Sequence, residues 1–579
     1  MKKPQIAGVL ISALLLAALP ARAAGVTLEQ QAVHVLNRLG YGPKPGDIER
    51  VTQMGVQRYI DSQLHPEAIA YPAALSARLA ALDSPNRPAG EVVGSYAELQ
   101  KQVRDDDDGA KQRRRAAIAA ITLETAEARV LRAIDSPRQL EEAMVDFWYN
   151  HFNVFAGKGL DRALVASYER DAIRPHAMGR FRDLLGATAK HPAMLYYLDN
   201  YLSTGIAYTH SYTPGKRRGA LVAMVAPNAP KAKARGLNEN YARELMELHT
   251  LGVDGGYSQK DVTELARMFT GWTYEQRALV RSNQTFTFDE RRHDQGDKTW
   301  LGHEVTQLGV REGEMALDIL AMHPSTAHHI SYKLAQYFVH DTPPPALVER
   351  LARNYLDTHG DIRAVLGTLF SSAEFMAPEA VGAKFKTPYQ FVISAARASA
   401  TPVINIAPLL STMNQLGMPL YGCQTPDGYQ NTQAAWLNPG ALTSRITFAT
   451  ALAGGKLPLA NRPAPAAMPA ALTPPATPSD GAMEAAPNRV SEMPPAMASD
   501  MAADMAANKR NNKRNNRKKN MEKSAASVAP ALASPPLDAL QLGATLGAAI
   551  SRGTALTVAA SAEPLQAAML LGSPDFMQR

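Results

Sequence analysis

Two carboxylates stand three residues apart, at Glu244 and Glu247, in NENYARELMELHTLGVDGGYSQKDVTELARMFTGW (Asn238 to Trp272), with Asn240 and Arg243 beside them. At about 100° per residue these four share one helix face. Turned into a cleft, such a pair can hold a divalent cation, or divide into a protonated acid and an ionised base. Turned to water, it is a solvated stripe whose Glu/Arg pair contributes only tenths of a kcal/mol. Spacing alone favours the solvated stripe.

Histidine is the other residue type that invites chemistry, and all fourteen histidines lie between His34 and His359. His151 in FWYNHFNV and His293 with Asp294 in HDQG are the candidates to join Glu244 and Glu247 in a nitrogen and oxygen site for a divalent metal, zinc or iron. Glu244, Glu247 and His151 form the catalytic expectation. His249 leaves the same helix on its apolar side, so it cannot complete a ligand triad with the two glutamates from that helix alone. Each candidate also has a structural role open to it. His151 can sit in an aromatic cluster with a ring nitrogen on a backbone carbonyl, His191 before Pro192 can start a helix, and Asp294 can stabilise a hairpin tip.

Several chemistries are excluded by what the chain lacks. It has no HExxH, EF-hand loop, G-x-S-x-G elbow, Walker loop or dinucleotide fingerprint. Cys423 is the single cysteine, which rules out an intrachain disulfide and CxxC thiolate sites. It is expected to be a small buried apolar residue.

The elements that would carry these residues are helical. Asn238 caps the first helix and Gly252 ends it; Ser258 and Asp261 form a capping box for the second, whose apolar stripe is Val262, Leu265, Ala266 and Phe269, with Gly271 as the stop. In SPRQLEEAMVDFWYNHF, Ser136 is the expected N-cap, with Pro137 at the first helical position and Gln139 closing a capping box. One strand pair is expected, TFTFDE (Thr285 to Glu290) with KTWLGHEV (Lys298 to Val305). The closing LLGSPDFMQR echoes LFSSAEFMAP (Leu369 to Pro378), which suggests a repeated capped turn. The fold class is therefore mainly α, a single large multi-helix domain with a small β-hairpin.

The flanks say where the protein works. MKKPQIAGVLISALLLAALPARAAG has the charged start, apolar run and A-x-A step of a secretory signal peptide at residues 1–23, so a periplasmic or secreted mature protein is expected. No later stretch offers the roughly 18 apolar residues of a membrane span. The helical domain runs over residues 24–453, a disordered Ala/Pro/Met/Asn-rich insertion over 454–536, and C-terminal helices completing the domain over 537–579. The net charge of +7 resides in the insertion, where Lys509 to Lys523 holds eight Lys or Arg against one Glu. With the rest of the chain balanced, nucleic-acid binding is not indicated. The basic run is a solvated loop or a contact for an anionic polymer.

The Asn238 to Trp272 segment strongly resembles the hallmark of the bacterial "domain of unknown function 1800" family. VLNRLGYGPKPGD, FWYNHFNV, IRPHAMGRFRDLLGATAKHPAMLYYLDN, HDQGDKTWLG, KFKTPYQFVISAARA, PDGYQNTQAAWLNPGALTSR and LLGSPDFMQR resemble the same family in order. The chain departs at Tyr149, in Trp148-Tyr149-Asn150-His151-Phe152, where relatives often read W-H-N-H-F. The resemblance implies a mainly helical exported protein, often encoded beside a partner family that resembles sulfatases and alkaline phosphatases, and work on envelope or extracellular polymers. Two functions follow as expectations: a metal- or carboxylate-dependent enzyme centred on Glu244, Glu247 and His151, or a non-catalytic binding or assembly factor for the co-exported sulfatase/phosphatase-like partner. A deep pocket with converging His and carboxylate groups favours the first; an exposed Glu244/Glu247 face favours the second.

Overall fold

Local signals in the hallmark segment fold as their chemistry dictates. The Asn238 side chain accepts the Asn240 N–H to start helix Glu239–Glu247, and Ser258 with Asp261 forms a complete capping box for helix Gln259–Met268. Tyr241, Leu245 and Met246 meet Val262, Leu265 and Phe269 in the core, each at most 1% exposed. Burying one such side chain contributes about 1.5–3 kcal/mol. The first helix ends at Glu247, and the chain turns inward over the next four residues. The Thr250 hydroxyl donates to the Leu245 carbonyl at 2.7 Å and the His249 N–H to the Glu244 carbonyl at 3.0 Å. Gly252 follows at φ +85°, a backbone state in which a side chain would be strained.

The computed structural model describes residues 26–101, 108–205, 236–460 and 534–579. The signal segment, most of the low-complexity insertion and the Lys509 to Lys523 run lie outside the described residues. Helices dominate, the β structure being two antiparallel two-stranded sheets. Among the described residues no helix is long and apolar enough to cross a membrane. One continuous core runs from Ala32 in the first helix to Met577, and a small satellite forms around Leu75, Leu79 and Leu131.

Two local expectations need correction. Helix Gln139–His151 is not opened by a Ser136 capping box. The Gln139 amide is already used, its Oε1 accepting the Tyr41 N–H at 3.2 Å and its Nε2 donating to the Ser136 carbonyl at 2.8 Å, while Ser136 Oγ accepts the Arg138 N–H at 3.0 Å. The two expected strand segments both form strands, but with other partners. β1 (Trp272–Thr273) pairs with β2 (Thr287–Phe288), and β3 (Lys298–Trp300) pairs with β4 (His303–Val305). KTWLGHEV folds on itself because Leu301 and Gly302 take φ of +47° and +79°, the two positive values of a tight hairpin turn.

The final residues return to the body. Helix Glu563–Gly572 packs along helix Pro439–Ala453, Gln578 pairs with Phe385 across a β-bridge, and the Arg579 guanidinium donates to the Tyr337 carbonyl at 2.7 Å. The echoed motifs make the same turn. Ser372 and Ser573 accept the N–H of Phe375 and Phe576 at 3.3 and 3.1 Å, and both rings are buried.

Candidate functional site

Asn150 and His151 close helix Gln139–His151, and the two asparagines of the FWYNHFNV segment hold a loop against its end. Asn150 donates from Nδ2 to the Tyr429 carbonyl at 2.8 Å and accepts the Tyr429 N–H on Oδ1 at 2.7 Å, imitating a strand partner. Asn153 donates to the carbonyls of Cys423 and Thr425 at 3.1 and 2.8 Å. Gly428 lies so close that a Cβ there would be 2.2 Å from the Asn150 carbonyl oxygen. Asp427 is thereby fixed on the loop. From the opposite side, helix Pro324–Phe338 supplies His329 and, one turn later, Lys333. A cavity of about 140 Å³ opens between them, with Asn150, His151, Lys333, Asp427, Tyr429 and Asn431 in its walls.

The histidines here are neutral. His151 lies 6.1 Å from His249 and 6.3 Å from His329 between ring centroids, amid Phe147, Trp148 and Phe152. Burial, followed by the nearby Lys333 ammonium, holds His151 well below the usual imidazole range, His249 down at about 3 and His329 at about 4. His151 Nε2 donates to the His249 carbonyl at 3.0 Å, so the neutral ring leaves Nδ1 as a bare lone pair, buried and without a partner. His329 donates to the Leu248 carbonyl and keeps an unpartnered Nε2. Lys333 is itself shifted down to about 8 by burial, partly offset by the Asp427 carboxylate.

Glu244, on helix Glu239–Glu247, is partly buried rather than solvated and feels the charge of Asp427. Its carboxyl is pushed up to about 7, first by desolvation and then by the like charges of Glu247 and Asp427, with Arg243 opposing. Arg243 is drawn elsewhere, donating to Gln259 Oε1 at 2.7 Å. Glu247 accepts a hydrogen bond from the Tyr257 hydroxyl. A carboxyl that exchanges its proton near neutrality, next to a second carboxylate at Glu247, is equipped for general acid–base work.

The structure divides the five expected metal ligands between two places. His293 and Asp294 belong to a buried lock that ties β3 to its neighbours. His293 Nε2 lies 3.3 Å from Glu312 Oε1, Lys298 Nζ 2.8 Å from Glu312 Oε2, and Arg267 Nη2 2.9 Å from Asp294 Oδ1. Asp294 also accepts the Gly296 N–H at 3.1 Å, but in a connection between β2 and β3, which do not pair, rather than at the expected hairpin tip. No hydrogen bond, ion pair or ring contact joins this lock to His151, Glu244 or Glu247. His293 and Asp294 each have charged partners of their own within this lock. Among the described residues no three or more His, Cys, Asp or Glu side chains are arranged to hold a metal ion. His191 caps a helix, accepting the Ala193 N–H at 3.2 Å, and Cys423 is buried.

Lys333, His329 and Asp427 escaped sequence reasoning. The i, i+4 spacing of His329 and Lys333 in PSTAHHISYKLAQYFV, and Asp427 in the glycine turn of PDGYQN, were the available signals. No curated protein and no solved structure matches this chain. One family model does, described as "Protein of unknown function (DUF1800)", over residues 34–578. Covering nearly the whole chain, site included, that match makes the protein a member of this family.

Proposed function

We propose that the protein is an exported, carboxylate-dependent enzyme that carries out acid–base chemistry on envelope or extracellular polymers. The observation that carries this reading is the partly buried Glu244 carboxyl, held at about 7 by desolvation and by the like charges of Glu247 and of Asp427, which itself lines the cavity. A carboxyl that keeps its proton near neutrality can serve as an acid where a second carboxylate serves as a base. In this reading protonated Glu244 delivers its proton to the leaving atom while ionised Asp427 accepts one from the attacking group. His151, in the cavity wall and with an unpartnered Nδ1, orients or relays a proton there.

The test is a polymer panel of peptidoglycan, a neutral glucan, a polyuronate and a sulfated polysaccharide, with products read by mass spectrometry. Wild type should convert one of them, and Glu244→Gln should lower kcat by roughly 10²–10⁴. The loss should come with disappearance of the pH-profile limb near 7. A wild type inert on every polymer, or a variant with unchanged rate and profile, overturns the reading.

One observation favours a second reading. An open groove of about 690 Å³ between helices Pro439–Ala453, Arg552–Ala559 and Glu563–Gly572 has Ile446 and Leu565 half exposed, as a docking surface for a co-exported sulfatase/phosphatase-like partner would. Co-purification of that partner with wild type but not with Ile446→Asp supports it; equal recovery rejects it.

A further inference from the structure

The buried and partly buried cations of this protein generally meet their counterparts. Arg129 pairs with Asp146 and Glu169, Arg174 with Glu142, Lys298 with Glu312, and Lys384 with Asp341. Arg38, Arg445 and Arg579 donate to main-chain carbonyls. Lys333 differs. It lines the cavity, yet its ammonium makes no hydrogen bond and no ion pair with any described residue.

Its surroundings do not make up the deficit. The groups acting on it or acted on by it are Asp427, His151, His249 and His329. The three imidazoles are neutral and supply no counter-charge. Asp427 is beyond ion-pair distance and sits in its own turn, with Oδ2 3.5 Å from Gln430 Nε2. Asp146, also in the cavity wall, is taken by Arg129. Lys333 is partly buried, and its ammonium, left without an ionic partner in the cavity wall, is balanced by solvent or by a negative group that enters the cavity. The cavity gives such a group access.

We infer that Lys333 anchors an anionic substituent of the substrate, a carboxylate, sulfate or phosphate group carried on the polymer. This rests on the enzymatic reading above and deepens it by naming an acidic polymer as the substrate class. At about 140 Å³ the cavity is far smaller than pockets that enclose whole ligands, and suits one charged substituent with the rest of the chain outside. The side-chain amide of Asn431, in the same wall, is a neutral donor for the bound group, while that of Gln430 donates to Asp427. Anchoring there brings the neighbouring part of the polymer toward Asp427 and Glu244.

The experiment is isothermal titration calorimetry on the full chain at constant ionic strength, with sulfate, phosphate and galacturonate as separate probes. One probe should bind saturably, which identifies the source of the anion. Lys333→Met should weaken it about tenfold or more, Lys333→Arg should keep it, and Asp427→Asn should strengthen it by removing a competing charge. The absence of saturable binding by all three probes, or equal binding by Lys333→Met, overturns the anchor. Polymer turnover without anion binding defeats the anchor alone. Anion binding with no turnover of any polymer leaves the anchor standing and defeats the enzymatic reading.

Discussion

Replacing Glu244 with glutamine should change the pH dependence of stability in a direction the site dictates. The folded protein holds the Glu244 proton more tightly than the unfolded chain does, because burial and the charges of Glu247 and Asp427 disfavour the carboxylate. Near pH 4 the group is largely protonated in both states and contributes little. As pH rises through 4.5 the unfolded chain loses the proton first, so folding is progressively disfavoured until pH passes about 7. The interval from 4.5 to about 7 corresponds to roughly 3 kcal/mol at about 1.4 kcal/mol per tenfold change. Glu244 is partly exposed, so solvent screening reduces this to about 1–2 kcal/mol. Glutamine has the same shape and no charge. Glu244→Gln should therefore match wild type at pH 4.5 and exceed it at pH 8, with Tm higher by roughly 1–3 °C in a chain of this size. Scanning calorimetry at one fixed scan rate reads the difference. An equal Tm gap at both pH values, or a wild type more stable at pH 8, refutes the reasoning.

Other perturbations test how the site is held. Gly428→Ala, at φ +71° with its Cβ forced against the Asn150 carbonyl, should lift the Asp427 loop, seen as faster limited proteolysis within residues 419–431. Asn150→Ala removes both hydrogen bonds to Tyr429 and should destabilise by about 1–3 kcal/mol in thermal or denaturant melts. Lys298→Met leaves Glu312 buried beside His293 without its ammonium and should cost about 3–5 kcal/mol by the same measurement. Asp427→Asn removes a like charge from Glu244 and the opposite charge from Lys333, so infrared and NMR titration should show both groups releasing protons at lower pH.

What the sequence revealed follows the range of the interactions involved. The Asn238 cap and the Ser258 and Asp261 capping box join residues three or fewer apart, and they formed as read. The carbonyl-bonded, aromatic setting of His151 was also open to inference, because FWYNHF places its rings on one helix. Strand pairing was misread because a two-residue turn at Leu301 and Gly302 competes with a longer connection, and non-glycine Leu301 at positive φ gives no sequence warning. The site was only half visible. Glu244 and Glu247 share a face by spacing, but the like charge that Glu244 also feels comes from Asp427, which is 183 positions away and on a loop held by Asn150 and Asn153. Helical period cannot carry that information. The same holds for His293, whose partner Glu312 comes from a separate helix.

The measurement closest to the central claim is a pH-difference infrared titration of wild type against Glu244→Gln. The account predicts a protonated-carboxyl band that is lost in the variant and that, in wild type, titrates at about 7. Spectra in which Glu244 titrates with the ordinary glutamates near 4.5 would contradict it and remove the acid–base assignment from this residue.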